Sequence, residues 1–308
     1  MPKKVLLATE KPFAKAAVDG IAKIFADAKY ELAKLEKYTD KADLLKAVAD
    51  ADAMIIRSDK ADAEVIGAAQ NLKVIVRAGA GYDNIDLAAA TAKGICAMNT
   101  PGQNSNAVAE LAVGMMVFLA RNKFTTGNGS ELRGKKVGIH AYGNVGRLVA
   151  GIAKGFGMEV WAFDPFVEKS KMEAEGVQVV DKMEDLYAGC EYVSLHIPAN
   201  DKTKKSIGYD LLSKMKKGAA LINTARKEVI DEEGLKKAMA ERENLKYATD
   251  VAPDCHAEVA EQWGLRYHAT TKKMGAETSE ANINAGLAAA RQIVAFFEKG
   301  DRTFQVNK

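Results

Sequence analysis

The feature that most constrains this chain is residues 137–146, VGIHAYGNVG, followed eighteen residues after Gly146 by Asp164 at the end of VWAFD. A short apolar run, a turn of small residues, an amphipathic segment from Val145 to Phe156 and a second apolar run ending in an acid predict one β-α-β unit built to hold a dinucleotide. Gly143 and Gly146 let backbone approach a pyrophosphate and let a helix pack close to its strand, while the helix N-terminus adds N–H donors and positive dipole. Asp164 is placed to accept from ribose hydroxyls and to disfavour a 2′-phosphate, which favours NAD. Ala141 occupies the first position of the G-x-G-x-x-G pattern, so the reading rests on the strand before, the helix after and the spacing of the acid.

Such a unit needs a sheet to join, and 308 residues suffice for two domains with substantial cores. With 48% hydrophobic and 28% charged residues the chain reads as an ordinary globular protein, neither disordered nor repetitive. Lysines and glutamates are interspersed, so the net charge of +3 provides no basic block for nucleic acid and suits an anionic small molecule. Cys96, Cys190 and Cys255 are widely spaced without a C-x-x-C pair, which predicts free thiols in a reducing compartment, no disulfide framework and no metal site. The N-terminal apolar run is too short for a signal segment and no run reaches membrane-spanning length; a cytoplasmic location is expected.

Along the chain, short apolar runs at 4–8, 53–56 and 73–76 alternate with helical patterns at 13–28 and 63–69, the rhythm of a parallel α/β domain. Arg57 and Ser58 follow one such run directly, and RAGAGYDNID at 77–86 follows another. Ligands gather outside the carboxyl ends of strands in open parallel sheets, so Arg57 and Arg77 are placed to meet an anion, with backbone N–H groups of Gly79, Ala80 and Gly81 beside them. A plain turn with solvated arginines fits the same spacing. After a helix over 105–120 and a turn-rich segment at 125–130, further runs at 192–196, 219–226 and 245–251 stop at His196, at Asn223 to Arg226 and at Asp250. A final amphipathic helix over 278–299 returns to the first domain, and a cleft between two α/β lobes is expected.

Nine motifs in order, RAGAGYDNID (77–86), NTP (99–101), VAE (108–110), LRGK (132–135), GM (157–158), DP (164–165), HIP (196–198), INTAR (222–226) and GAET (275–278), resemble the D-2-hydroxyacid dehydrogenase family. The resemblance runs from about Arg57 to the last helix. It implies a doubly wound, flavodoxin-like substrate domain split into 1–98 and 282–308, an inserted Rossmann NAD domain at 99–281, and a homodimer. The implied activity is NAD-dependent oxidation of a small anionic 2-hydroxy acid. Arg57 and Arg77 match positions that bind carboxylate or phosphate in phosphoglycerate-oxidising members, and two arginines suit a substrate carrying both groups. Ser58, Gly79, Ala80, Gly81 and Asn104 join the substrate set. Arg226 falls on the family's catalytic arginine. The cofactor set comprises Tyr142, Gly143, Asn144, Val145, Gly146, Asp164, His196, Pro198, Thr224, Ala225, Asp250 and Gly275. Other readings are glycerate/hydroxypyruvate or D-lactate as substrate, and a non-catalytic NAD-binding sensor, against which the retained anion anchors argue.

Three positions depart from the family. Lys273 stands where the proton-shuttling histidine is expected, Cys255 where its carboxylate partner is expected, and Lys227 replaces the glycine after the arginine. A carboxylate raises a neighbouring lysine's already high pKa, so its loss accords with Lys273 as acid/base, its pKa expected to be lowered by burial, Arg226 and the nicotinamide charge. Lys272 and His256 are the alternatives for that role. His140 is expected in the core, and His256 and His268 in an exposed loop. The chain ends soon after its last helix, which predicts no C-terminal domain for inhibition by serine, and the short 122–134 segment leaves dimerisation to the neighbouring helix.

Overall fold

Two parallel sheets, each covered by helices on both faces, account for the architecture. The computed structural model describes residues 2–307. Its first half alternates β1 (Lys4–Thr9), α1 (Lys15–Asp27), β2 (Glu31–Glu36), α2 (Lys41–Val48), β3 (Ala53–Ile56), α3 (Ala63–Ala68), β4 (Val74–Arg77), α4 (Leu87–Ala92) and β5 (Cys96–Asn99). These strands pair in parallel in the order β2-β1-β3-β4-β5, which is the flavodoxin-like order. The strands are apolar on both faces because both faces are covered. Val5, Leu7, Ala53, Ile55, Val74 and Val76 point to one core with Ile21 and Phe25 of α1; Leu6, Ala8, Met54, Ile56 and Ile75 point to the other with Leu44 and Val48 of α2. Strand β2 and helix α2 lie outside the sequence expectation: ELAKLE is an edge strand, only partly buried, and its charged residues mask the strand period.

The second half contains α5 (Ser105–Ala120), β6 (Lys136–His140), α6 (Asn144–Gly155), β7 (Glu159–Phe163), α7 (Lys169–Ala174), β8 (Gln178–Val179), α8 (Met183–Gly189), β9 (Tyr192–Leu195), α9 (Tyr209–Leu212), β10 (Ala220–Asn223), α10 (Glu232–Glu241), β11 (Lys246–Thr249), α11 (His256–Trp263) and β12 (Tyr267–Ala269). Its sheet order is β12-β11-β10-β9-β6-β7-β8, all parallel, which is the Rossmann order with one strand added. Helix α12 (Ser279–Lys299) then packs beside α1 and the first sheet. The segment expected to be an exposed loop around His256 and His268 instead forms α11 and β12. A three-residue strand is too short to display a period, and it is fixed by pairing with β11.

The chain divides into two compact units, one running to Asn104 and resuming at Glu277, the other Ser105–Ala276. The residues after β5 stay with the first unit because Thr100 N–H donates to Gly79 O at 2.9 Å and Asn99 Nδ2 to Ala80 O at 2.7 Å. Helices α2, α3, α4 and α12 start on Asp40, Asp62, Asp86 and Thr278, whose side chains accept from first-turn N–H groups. Among the described residues no helix is long and apolar enough to cross a membrane.

Candidate active site

In the second unit, β6 ends at His140 and the chain turns through Ala141, Tyr142 and Gly143 into α6. Ala141 adopts φ of 78°, the left-handed conformation that glycine supplies at the first position of the motif. A Cβ on Gly146 would lie 2.2 Å from Ala141 O and 2.9 Å from Ile139 Cγ2, so only glycine lets α6 pack this close to β6. A Cβ on Gly143 would meet nothing within 4 Å, and Gly143 caps α6 without a side-chain bond, leaving the first N–H groups for an anion. Asp164 follows β7 and locks the turn: Oδ2 accepts from Tyr142 N–H at 2.7 Å and Oδ1 from Phe166 N–H at 2.8 Å. Tyr142, Gly143, Asn144, Val145, Gly146 and Asp164 are thus brought together. The Tyr142 ring is buried, so what it offers a ligand is backbone.

The carboxyl ends of β9, β10 and β11 carry His196, then Thr224 to Arg226, then Asp250. His196 Nε2 and Thr224 Oγ1 are buried without a hydrogen-bond partner among the described residues, although buried polar atoms are nearly always paired. Both therefore fit a polar ligand lying across the strand ends. Burial, and secondarily His140, pushes the His196 imidazole down to about 3, and burial pushes His140 down to about 4. Both rings are neutral at pH 7. His140 is a core residue, its Nδ1 3.1 Å from the Tyr187 hydroxyl. An uncapped helix N-terminus, an open glycine and two orphaned polar atoms at neighbouring strand ends fit a nicotinamide dinucleotide; Pro198 is exposed in the loop after β9.

Arg226 is set by Asn223, which is 2% exposed: its Oδ1 accepts from Ala225 N–H at 3.0 Å and its Nδ2 donates to Arg226 O at 3.0 Å. Asn223 therefore shapes the turn that carries Arg226, whose Nη1 donates to Ala225 O at 3.0 Å. Lys273 lies on the 271–275 loop, and the buried Asp250 holds that loop, accepting from Met274 N–H at 2.8 Å and Gly275 N–H at 2.8 Å. A Cβ on Gly275 would fall 2.8 Å from Asp250 Oδ2, so the glycine is required for this grip. Asp250, read from the sequence as a cofactor contact, is in this unit the anchor of the loop that carries Lys273. Lys273 itself is exposed, where the sequence reading expected burial.

The other two departures are tied together. Lys227 pairs with Asp254, linking the residue after the arginine to the segment that carries Cys255. Glu232 Oε1 accepts from Asp254 N–H and Oε2 from Cys255 N–H, both at 2.8 Å. Burial, and then the hydrogen bond with Glu232, pushes the Cys255 thiol up to about 12. Cys255 stays protonated at neutral pH and does not replace the missing carboxylate. His256, next in sequence, is exposed, with Nδ1 2.9 Å from the Tyr267 hydroxyl.

In the first unit, Arg57 directly follows β3 and Arg77 ends β4, two adjacent, paired strands. Arg57 donates through Nη1 to Lys11 O and Pro12 O, each at 3.2 Å, through Nη2 to Asn282 Oδ1 at 2.5 Å, and lies over the Phe13 ring. It therefore organises the loop after β1 as well as offering charge. Arg77 Nε donates to Arg57 O at 3.0 Å, and its guanidinium covers Gly79, where a Cβ would sit 1.4 Å from Nη1. Gly79, at φ of 149°, admits this contact, and Ala80 and Gly81 continue the loop towards solvent. Sequence reasoning missed the supports: Asp59 accepts from Arg57 N–H and the Tyr38 hydroxyl, and Asn84 donates to Arg57 O and Asp59 O. The Asx residues after a strand were the available signal. Ser58 is exposed beside Arg57, and Asn104 is half-buried at the end of the unit.

Residues 107–270 match the family model described as D-isomer specific 2-hydroxyacid dehydrogenase, NAD binding domain. The chain is 38% identical over 267 residues to D-3-phosphoglycerate dehydrogenase of Methanocaldococcus jannaschii, covering 82% of this chain and 51% of that protein. It is 34% identical to hydroxypyruvate reductase of Thermotoga maritima, covering 86% of this chain and 91% of that one. The crystal structure of NAD+-bound 3-phosphoglycerate dehydrogenase from Entamoeba histolytica superposes with a TM-score of 0.88 at 49% identity, covering 100% of this chain and 99% of that one. The chain thus spans about half the length of the Methanocaldococcus relative, at 51%.

Proposed function

Because the chain belongs to the D-isomer specific 2-hydroxyacid dehydrogenases and carries their NAD-binding domain, we propose that it oxidises D-3-phosphoglycerate to 3-phosphohydroxypyruvate, the entry to serine biosynthesis, with NAD as acceptor. The observation that carries the substrate choice is the pair of arginines at adjacent strand ends, Arg57 and Arg77, with the Arg77 guanidinium lying over Gly79 of the glycine loop. One guanidinium and the backbone of Gly79, Ala80 and Gly81 take the carboxylate, the other takes the phosphate, and Ser58 and Asn104 complete the set.

In this reading NAD, when bound, accepts hydride from C2 of the substrate. Gly143 to Gly146 and Asp164 hold its pyrophosphate and ribose, and His196, Pro198, Thr224, Ala225 and Gly275 line its nicotinamide end. Arg226 holds the C2 oxygen and the carboxylate, stabilising the charge that develops as the C–H bond breaks. Lys273, in its neutral form, takes the hydroxyl proton and becomes ammonium; in the reverse direction it returns that proton to the carbonyl oxygen. Two chains form a homodimer.

The test is initial rates with a panel of 2-hydroxy acids and both nicotinamide cofactors. Turnover of D-3-phosphoglycerate with NAD, exceeding that of D-glycerate and D-lactate, is expected; NAD binding without turnover of any member would point to a sensor. Reduction of hydroxypyruvate is the second reading, because the Thermotoga relative is matched over 91% of its length. Preference for hydroxypyruvate over its phosphorylated analogue would select it.

A further inference from the structure

A pocket of about 440 Å³ opens against the dinucleotide turn, lined by Tyr142, Gly143, Asn144, Arg147, Lys171 and Glu175 among others. Gly143 and Asn144 start α6, and Tyr142 N–H is held by Asp164, so the pocket lies at the adenosine end of a dinucleotide on this turn. Arg147 and Lys171 are two cations which, by charge alone, would favour a 2′-phosphate. Arg147 is engaged elsewhere. Its Nη2 donates to Glu175 Oε1 and its Nε to Glu175 Oε2 at 3.3 Å.

Glu175 is itself fixed from three directions. Besides Arg147, the Tyr142 hydroxyl donates to Oε2 at 2.9 Å, and Lys154 Nζ donates to the Glu175 carbonyl. Tyr142 thereby bridges two carboxylates, Asp164 through its N–H and Glu175 through its hydroxyl. The Arg147 side chain is 59% exposed, so its release from Glu175 disturbs little packing.

We infer that Glu175 is a second determinant of NAD selectivity alongside Asp164: it engages the Arg147 guanidinium and so withholds it from a 2′-phosphate. The inference rests on the dinucleotide reading of this turn. Removing the Glu175 charge frees Arg147 to form a charge-assisted pair with a 2′-phosphate.

Calorimetric titration with adenosine 5′-monophosphate and adenosine 2′,5′-bisphosphate tests this directly, without turnover. In Glu175→Gln, affinity for the bisphosphate relative to the monophosphate is expected to rise about tenfold, the size of one such pair. The gain should vanish in the Glu175→Gln, Arg147→Ala double variant. Arg147→Ala alone, which changes an exposed side chain, should not raise the ratio; a rise would mean that the guanidinium is not what Glu175 withholds and would overturn the inference. An unchanged ratio in Glu175→Gln, or a gain that persists without Arg147, overturns it equally. If the unaltered protein bound neither nucleotide, the dinucleotide reading would fail and this inference with it.

Discussion

Ala141 sits at φ of 78° in a turn where glycine is the relaxed choice. An L residue in that region is strained by about 1 kcal/mol, so Ala141→Gly should raise the unfolding free energy by about that amount in urea titrations while leaving NAD binding intact. Lys273 carries the sharpest chemical prediction. Lys273→Ala should lower kcat by roughly 10²- to 10⁴-fold, the range of a lost acid/base, while Lys272→Ala and His256→Ala stay near the parent rate. Full turnover in Lys273→Ala would remove it from the mechanism. The buried imidazoles predict a pH dependence of stability. His140 and His196 titrate about 4 and about 3 in the folded chain against 6.5 in the open. The unfolded chain then binds more protons between these values, so stability is full above pH 6.5 and falls as pH drops towards 4. Urea midpoints measured from pH 7.5 to 5 should show the decline, and His140→Gln should flatten it.

At the scale of elements, residues 305–307 close the open side of β5. Asn307, 6% exposed, accepts from Ala97 N–H through Oδ1 at 2.8 Å and donates to Ile95 O at 2.8 Å, imitating the strand that a sheet edge lacks. Asn307→Ala leaves both backbone groups unpaired and should destabilise the protein by about 2 kcal/mol in denaturant titration. None of this shows in the sequence, where the tail reads as a polar extension. The strands that were legible, such as β3 and β4, are those buried on both faces, because continuous burial writes a continuous apolar run. Those that were not include β2, β8 and β12, edge strands whose partial burial or brevity leaves no such run.

For the whole molecule, the homodimer reading places the subunit contact beside α5. Phe124 and Leu265 are 68% and 78% exposed, and Lys123 bonds to Gly264 O and Tyr267 O, tying the end of α5 to the loop that bears Leu265. Light scattering should give twice the 33.1 kDa chain mass, and Phe124→Ser with Leu265→Ser should shift the population towards monomer. By itself the sequence determined that there is a dinucleotide unit, which residues start and end it, and which arginines follow strands, since glycine spacing and apolar runs are local properties. Only the tertiary structure decided who meets whom. It placed Asn282 against Arg57, Asp250 under the Lys273 loop, Asp254 on Lys227 and Glu175 on Arg147. A polar side chain's partner is set by which strand ends and helix starts the sheet order brings together, and sheet order is a property of the packed chain, written in no single stretch of it.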